Sequence, residues 1–389
     1  MYLYSLTLQH ATGIQKAIFG NFSAAKSQEI AVSRGKILEV YRATDQGQLE
    51  LVVSEEVFGM VRCLCTFRMT GATRDLLVVG SDSGRIVFLE LEQNKLHRVQ
   101  METFGRSGCR RIVPGQFLAV DPKGRALMIA AIEKQKFVYV VNRDSNTMSV
   151  SSPLEAHKSK TILFDVCGVD VGFENPLFAC IEVEYREKEL TGEANKVLSF
   201  YEMDLGLNHV IRKSAKPIDN SANTLIGVPG GSDGPGGVLV CCENFITYQN
   251  ESVVLKCLYP RRADMNDQQT LLINSYATHK QKDLFFFLLQ SELGDLYKVT
   301  LNYQDSAVHS LQVQYFDTIF PCLSLCILKT GFLFAAAEYS NHAVYQFQSI
   351  GEDDETALCT STTQTQAYFM PRPLKNLYLL YEIERVLGC

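Results

Sequence analysis

The chain has 389 residues, of which 46% are hydrophobic and 21% are charged, a balance typical of a folded protein with a large apolar core. Its net charge of −6 argues against a general nucleic-acid binder, because such proteins carry an excess of basic residues. The opening residues MYLYSLTL lack the basic start and long apolar core of a signal peptide, and the longest apolar runs are too short to cross a bilayer, so we expect no membrane partner.

Hairpin-like stretches recur along the chain. Each has two short apolar runs joined by a polar turn, as in residues 76–91 (LLVVGSDSGRIVFLEL), whose runs are apolar on both faces of a strand. Such a strand lies between two layers of other strands. In chain order the seven stretches are residues 30–41, 76–91, 128–142, 178–205, 238–248, 286–301 and 333–347.

The spacing of these hairpins predicts the fold. Their first strands begin about every 50 residues, a repeat typical of a β-propeller with four antiparallel strands per blade. We therefore predict an all-β, seven-bladed β-propeller. The chain contains no tryptophan, which excludes blades of the Trp-Asp type. Candidates for further strands are residues 57–67, 164–171 and 316–328.

The last part of the sequence predicts a change of organisation. Residues 351–365 are acidic and rich in Ser, Thr and Gln, as in a loop, and Pro371 and Pro373 interrupt any strand ladder. Another apolar strand begins at Leu377. We expect one propeller over residues 1–370, followed over 371–389 by a linker and the start of a second propeller.

The sequence offers little for catalysis, metal binding or cofactors. The twelve cysteines lack the paired spacing of a zinc site, and the seven histidines are scattered. The glycine-rich residues 227–237 lead into a strand, whereas a phosphate cradle leads into a helix, so we expect an inter-strand loop. Neither a GxSxG nor an HExxH motif occurs. Residues 352–355 lack the alternation of a calcium loop. We expect a protein that is not an enzyme.

Longer stretches of the sequence resemble a known family. They include residues 11–23 (ATGIQKAIFGNFS), 168–180 (GVDVGFENPLFAC), 228–239 (VPGGSDGPGGVL) and 316–334 (FDTIFPCLSLCILKTGFLF). Over almost its whole length the chain resembles the family of the third subunit of splicing factor 3b, also called the 130-kilodalton spliceosome-associated protein. The wider family includes the large damaged-DNA-binding protein of cullin ligases and the large cleavage and polyadenylation factor subunit.

The resemblance implies the first of three propellers and a nuclear, non-enzymatic scaffold in the U2 small nuclear ribonucleoprotein. By resemblance, that scaffold holds the helical-repeat large subunit of splicing factor 3b for branch-site recognition in pre-mRNA splicing. Further implied partners are the ten-kilodalton and PHD-finger-like subunits, with pre-mRNA and U2 RNA contacted only indirectly. Two alternatives stay open: an adaptor of a cullin ubiquitin ligase or DNA-repair complex, and a propeller hydrolase with its site at the central channel.

Candidate partner contacts lie outside the apolar strands. Basic residues follow the second, third and fourth hairpins, and together they predict a patch for an acidic partner surface. Two apolar residues occupy turns of the last two hairpins, where Asn, Asp or Gly is usual, and they predict apolar anchors. The candidate partner-binding residues are Arg106, Arg110, Arg111, His157, Lys158, Lys160, His209, Arg212, Lys213, Leu293 and Tyr339.

Overall fold

The structure is a computed structural model that describes residues 10–103, 111–112, 114–144, 147–156, 160–185, 195–250, 253–266, 268–281, 284–351 and 357–385. These residues form strands, turns and loops but no helix. Accordingly, they include no helical segment able to span a membrane. The strands form seven antiparallel sheets, which are the predicted seven blades.

The first four blades follow one another directly along the chain. Blade 1 contains β1 (Lys16–Gly20), β2 (Glu29–Arg34), β3 (Ile37–Ala43) and β4 (Leu49–Glu56). Blade 2 contains β5 (Val61–Phe67), β6 (Leu76–Ser81), β7 (Arg85–Glu92) and β8 (Lys95–Thr103). Blade 3 contains β9 (Phe117–Val120), β10 (Ala126–Ala130), β11 (Lys136–Asp144), β12 (Thr147–Val150) and the short β13 (Leu154–Glu155). Blade 4 contains β14 (Thr161–Val169), β15 (Leu177–Glu184), β16 (Lys196–Asp204) and β17 (His209–Pro217).

The last three blades include additional strands. Blade 5 contains β18 (Thr224–Gly227), β19 (Val238–Cys241), β20 (Phe245–Asn250) and β21 (Val253–Leu258), and is followed by β22 (Arg261–Arg262). Blade 6 contains β23 (Ile273–Gln281), β24 (Leu284–Ser291), β25 (Asp295–Gln304), β26 (Ala307–Thr318) and the later β30 (Leu358–Thr360). Blade 7 contains β27 (Cys322–Leu328), β28 (Phe332–Ala337), β29 (His342–Phe347) and β32 (Leu377–Ile383), while β31 (Tyr368–Phe369) pairs in parallel with β22.

Blade 2 shows why the strands are apolar on both faces. Leu77 and Val79 of β6 belong to an apolar cluster with blade 1, whereas Leu76 and Val78 belong to a cluster with blade 3. Successive side chains of a strand point to opposite faces, so each blade contributes to the cores on both of its sides. The prediction from residues 76–91 is confirmed, and β6 is buried throughout.

The seam between blade 7 and blade 1 closes the ring. An apolar cluster joins Ile30 and Val32 of blade 1 to Phe334 of blade 7. The Ser324 hydroxyl lies 3.0 Å from the amide nitrogen and 3.2 Å from the carbonyl oxygen of Ala17. The Tyr381 hydroxyl accepts a hydrogen bond from the Leu49 amide at 2.8 Å. Among the described strands, blade 1 contains β1–β4 and blade 7 contains β27, β28, β29 and β32, so their closure rests on packing and polar contacts between the two sheets.

Between β29 and β32, the described residues 348–351 and 357–376 lie along the outside of blades 5 and 6 before the chain returns to blade 7. We call this segment the strap. Its β30 adds to the edge of β26, and the ring of Phe369 stacks on that of Tyr315 with centroids 3.9 Å apart. The strap thus contains strand β30, where the sequence predicted only a loop.

The end of the propeller differs from the expected boundary at residue 370. The apolar strand predicted to start a second propeller is β32, which pairs with β29 as the fourth strand of blade 7. Without β32 the outer edge of β29 would be unpaired. Asp317 fixes the return of the chain, because its carboxylate accepts the backbone amides of Lys375, Asn376 and Leu377.

A substitution at Gly47 tests how closely blades 1 and 7 pack at the seam. Its φ is +81°, and an added Cβ would lie 2.7 Å from side-chain atoms of both Phe332 and Leu380. We expect Gly47→Ala to lower the free energy of unfolding by about 1–2 kcal/mol for the left-handed backbone and by about 1–3 kcal/mol more for overpacking. The control is Gly71→Ala, whose φ is +77° with open space around the Cβ, so that it carries only the backbone cost. Equal losses in urea unfolding would contradict a packed seam.

His342 makes the seam sensitive to pH. Its buried ring contacts the Thr12 carbonyl oxygen through Nε2 at 2.9 Å, and Nδ1 has no hydrogen-bond partner. Burial, together with the nearby guanidinium groups of Arg34 and Arg385, lowers its pKa below the ordinary 6.5 despite the bond to Thr12. The unfolded chain therefore binds this proton more readily, so the stability from neutral His342 is lost as pH falls below about 6.5.

We expect His342→Gln to reduce the loss of unfolding free energy between about pH 7.5 and about pH 5.5, since an amide cannot titrate but can still donate to Thr12. Urea titrations at both values measure the difference. The matched control is His309→Gln at an exposed position away from the seam. An unchanged pH dependence in His342→Gln would show that this ring does not titrate with unfolding.

Candidate partner-binding surface

The ring has two faces that differ in the loops they carry. Within each blade the turn between the second and third strands leaves the same end as the connection to the next blade. We call the end that carries the turns 82–84, 292–294 and 339–341 the hairpin face, and the other end the opposite face. The basic residues predicted after the second and third hairpins fall in the connections from blade 2 to blade 3 and from blade 3 to blade 4, whose described ends lie on the hairpin face.

The basic residues after the second and third hairpins are only partly described. Arg106, Arg110, His157 and Lys158 lie outside the described residues. Arg111 forms an ion pair with Glu133 in the hairpin turn of blade 3 and is 72% exposed. Arg111 lies in the connection from blade 2 to blade 3, on the hairpin face.

Glu133 brings two of the predicted basic residues onto one surface. The Tyr185 hydroxyl donates to this carboxylate at 2.6 Å, and the Tyr185 amide bonds to the Lys160 carbonyl oxygen. Hydrogen bonds from Tyr185 and then Arg111 outweigh the effect of burial and lower the pKa of Glu133. Hydrogen bonds and an ion pair thus link Arg111 to the backbone of Lys160 through Glu133 and Tyr185 at the junction of blades 3 and 4, where both basic residues are exposed.

The basic residues after the fourth hairpin lie in a strand rather than in a connection. His209, Arg212 and Lys213 all belong to β17, which pairs with β16 so that Arg212 is opposite Tyr201. Lys213 pairs with Glu202 and is 59% exposed. Arg212 is only 18% exposed and pairs with Glu182 and Glu184, so it is engaged within the fold.

Arg212 belongs to a polar network between blades 3 and 4 that sequence reasoning missed. Lys136, 2% exposed, donates to the fully buried Glu182 carboxylate at 2.7 Å and to Thr161 at 2.6 Å. The Tyr201 hydroxyl donates to the other Glu182 oxygen at 2.9 Å. Each charge has partners, as burial requires. In the sequence, the one sign of this network was Lys136, a lysine at the start of the otherwise apolar run of β11.

The network shifts the titration of its members. Burial, and then the Glu182 charge, raise the pKa of Tyr201 far above its ordinary value, so the hydroxyl stays a donor. Burial lowers the pKa of Arg212, but the carboxylates of Glu182 and Glu184 outweigh it and raise that pKa. Through these contacts, Glu182 of blade 4 links Lys136 of blade 3 to Tyr201 and Arg212 of its own blade.

The apolar turn residues do lie exposed on the hairpin face. Leu293 is 38% exposed in the turn of blade 6, and Tyr339 is 73% exposed in the turn of blade 7. Phe320, in the connection between these blades, is 59% exposed and was missed. Its position inside the apolar run FDTIFPCLSLCIL suggested a strand, whereas β26 ends at Thr318 and β27 begins at Cys322.

The opposite face carries further exposed apolar residues and the glycine-rich loop. Phe173 is 78% exposed and Leu207 is 75% exposed, both at turns of blade 4. The loop joins β18 to β19, as predicted, and an added Cβ at Gly230 would lie 2.0 Å from the Asp170 carbonyl oxygen. Glycine is needed there because the backbones of blades 4 and 5 approach closely.

The described residues hold no obvious reaction centre. No group of three His, Cys, Asp or Glu among them is arranged to hold a metal ion. Burial raises the pKa of the Cys65, Cys241 and Cys322 thiols to about 12 each, which suits packing rather than nucleophilic chemistry. Burial also raises the pKa of Asp165, in the first strand of blade 4, to about 6. Its carboxylate accepts the amides of Leu225 and Val166 and thereby joins blades 4 and 5.

These features define a seven-bladed propeller whose exposed features are turns and connections. The chain matches the family model "RSE1/DDB1/CPSF1 first beta-propeller" over residues 13–384 and belongs to that family. The match includes β32, in agreement with its place in blade 7.

Similar proteins share sequence with the whole chain. Spliceosome-associated protein 130 A of Arabidopsis thaliana is 55% identical over 100% of this chain. Splicing factor 3B subunit 3 of Danio rerio is 53% identical over 99% of it, and pre-mRNA-splicing factor RSE1 of Mycosarcoma maydis is 46% identical over 98%. The chain spans 33%, 33% and 34% of these relatives, about a third of their length.

Alanine substitutions at Arg212 and at its neighbour Lys213 distinguish a residue that stabilises the fold from one that is exposed at the surface. We expect Arg212→Ala to lower the free energy of unfolding by about 3 kcal/mol, because it leaves buried Glu182 with less compensation. Lys213→Ala removes an exposed pair and should cost less than about 1 kcal/mol. Urea unfolding measures both variants. Similar small losses would contradict the structural role of Arg212.

Proposed function

We propose that this chain is a non-enzymatic scaffold domain of a nuclear pre-mRNA splicing particle. The observation that carries the proposal is the identity of 46–55% with proteins named as splicing or spliceosome-associated factors over nearly the whole chain. Seven mutually packed blades form a rigid ring, and rigid elements position contact loops.

The proposed partners follow from the resemblance to splicing factor 3b. We propose that the hairpin face contacts its helical-repeat large subunit, with the ten-kilodalton and PHD-finger-like subunits nearby and RNA contacted only indirectly. The surface around Arg111 and Lys160 supports contact with an acidic partner segment, and Leu293 and Tyr339 support apolar contact. His209 and Lys213 belong to this proposal as outer-strand positions, and Arg212 as the residue that stabilises the strand.

Recovery of the tagged chain from nuclear extract tests the proposal. We expect the chain to recover U2 small nuclear RNA together with splicing factor 3b subunits, because a scaffold co-purifies with its particle. Recovery of cullin-ligase components in their place would support the adaptor alternative and contradict the splicing proposal.

Charge reversal tests the basic surface. We expect Arg110→Glu with Arg111→Glu to reduce recovery of the particle, with a larger reduction at low salt than at high salt, because screening weakens exposed ion pairs. The matched control reverses Lys26 and Lys329, two exposed lysines on the opposite face. Unchanged recovery at both salt concentrations would remove these arginines from the contact surface.

A further inference from the structure

Three exposed apolar residues lie on adjoining turns and connections on the hairpin face of blades 6 and 7. They are Leu293, Phe320 and Tyr339, and we call this surface the blade 6–7 patch. Phe320 lies in the connection 319–321, between the turn that contains Leu293 and the turn that contains Tyr339. Their adjacency follows from hydrogen bonds on both sides of that connection.

On the blade 6 side, the Ile319 amide bonds to the Gly294 carbonyl oxygen at 3.0 Å. The buried Gln290 side chain donates to the Phe320 carbonyl oxygen at 2.9 Å. Gly294 has a φ of +89°, and an added Cβ would lie 2.1 Å from the Ile319 carbonyl oxygen, so glycine permits this approach. The connection is therefore fixed against the turn of blade 6.

On the blade 7 side, the Glu338 amide bonds to the Pro321 carbonyl oxygen at 2.9 Å. This bond fixes the turn that contains Tyr339 against the connection that contains Phe320. The three side chains are thus preorganised by backbone contacts while 38–73% of their surface stays exposed. Preorganised aromatic side chains on a rigid support lose little entropy on binding, which favours them as anchors.

Carboxylates surround the patch. Glu292 precedes Leu293, Glu338 precedes Tyr339, and Glu382 and Glu384 lie at the end of the last strand, where Glu382 accepts a hydrogen bond from Asn341. Two nearby arginines are engaged within the fold. Arg262 binds Asp295 through two bonds of 2.7 and 2.8 Å, and Arg385 donates to the Ala337 carbonyl oxygen at 2.8 Å. Near the patch, the four carboxylates therefore outnumber the guanidinium of Arg385, whose bond to a carbonyl oxygen leaves its charge in place.

We propose that the blade 6–7 patch binds a basic amphipathic helix of a partner protein, with apolar side chains against the patch and lysine or arginine against its rim. An apolar surface with a charged rim fits a helix whose apolar residues recur at i, i+3, i+4 and i+7. The inference rests on the proposed function, because a scaffold needs a surface for a partner, and it adds the chemistry of that partner.

The test uses the purified chain and a fluorescent 15-residue helical peptide with leucines at that spacing and lysines on the flanks. We expect saturable binding by fluorescence anisotropy, with affinity that falls as salt rises. A peptide with glutamate at every lysine position should bind at least about tenfold more weakly. Equal binding of the two peptides would overturn the proposal, as would binding only of the glutamate peptide.

Matched variants locate the binding. We expect Phe320→Ser with Tyr339→Ser to weaken the lysine peptide at least about tenfold. Glu292→Gln with Glu338→Gln should weaken it about fivefold at low salt and reduce the salt dependence. The control, Phe173→Ser with Leu207→Ser, removes two exposed apolar turn residues from the opposite face and should bind as the parent does. An equal loss in this control, with parental thermal unfolding in all variants, would overturn the proposal.

Two further measurements separate the outcomes. Sedimentation of the free chain tests a second copy as the occupant, and a dimer dissociated by the Phe320 and Tyr339 changes would overturn the helix proposal. Recovery of U2 small nuclear RNA by the parent chain tests the proposed function independently. If that RNA is recovered but the lysine peptide does not bind, the patch proposal fails alone; if the peptide binds but the RNA is not recovered, the splicing proposal fails alone.

Discussion

Each blade is apolar on both of its faces, and the rest of the structure depends on this constraint. A sheet of this kind is stable only between two neighbours, so a row of blades leaves two apolar ends until it closes into a ring. Adjacent blades share an apolar cluster at every junction, including the seam where Phe334 meets Ile30 and Val32. Because every junction is buried, the inner strands have few exposed side chains, and exposed functional groups lie on the turns, the connections and the outer strands such as β17.

Polar groups buried in such a ring must find partners at the junctions between blades. Glu182 meets Lys136 of blade 3 and Arg212 of its own blade, and Asp165 accepts the amide of Leu225 in blade 5. Apolar packing is tolerant of small shifts, whereas hydrogen bonds require specific atoms at specific distances. The buried carboxylates therefore fix how neighbouring blades are aligned, while the apolar clusters supply most of the free energy that holds them together.

Local pattern in the sequence was sufficient to predict the seven central hairpins, since each is a nearly continuous apolar pair around a polar turn. It was insufficient where structure depends on distant partners. The strand that begins at Leu377 has the same local pattern whether it completes blade 7 or starts a new domain, and only its pairing with β29 distinguishes the two.

Individual side chains were also misjudged from local pattern. In the sequence Arg212 looks like a surface residue, because its partner Glu182 lies 30 positions away. Phe320 was hidden in an apolar run that spans two strands and the connection between them. The proposed partner contacts at Arg111 and Tyr339 depend on side-chain exposure, which the sequence indicates only through the position of a residue in a turn or connection.

The strap has a consequence for the order in which the domain is assembled. The chain leaves blade 7 after three strands, follows the outside of blades 5 and 6, and returns only at Leu377 to supply the fourth. Blade 1 packs on blade 7, which lies about 300 residues later in the chain: the contact between Ala17 and Ser324 spans 307 positions. During synthesis from the N-terminus, the face of blade 1 that later packs on blade 7 is thus exposed to water until nearly the whole ring has emerged from the ribosome. Until the ring closes, the apolar residues of blade 1 that later pack on blade 7 form a surface that molecular chaperones can cover, and a chain that terminates within the strap lacks the fourth strand of blade 7.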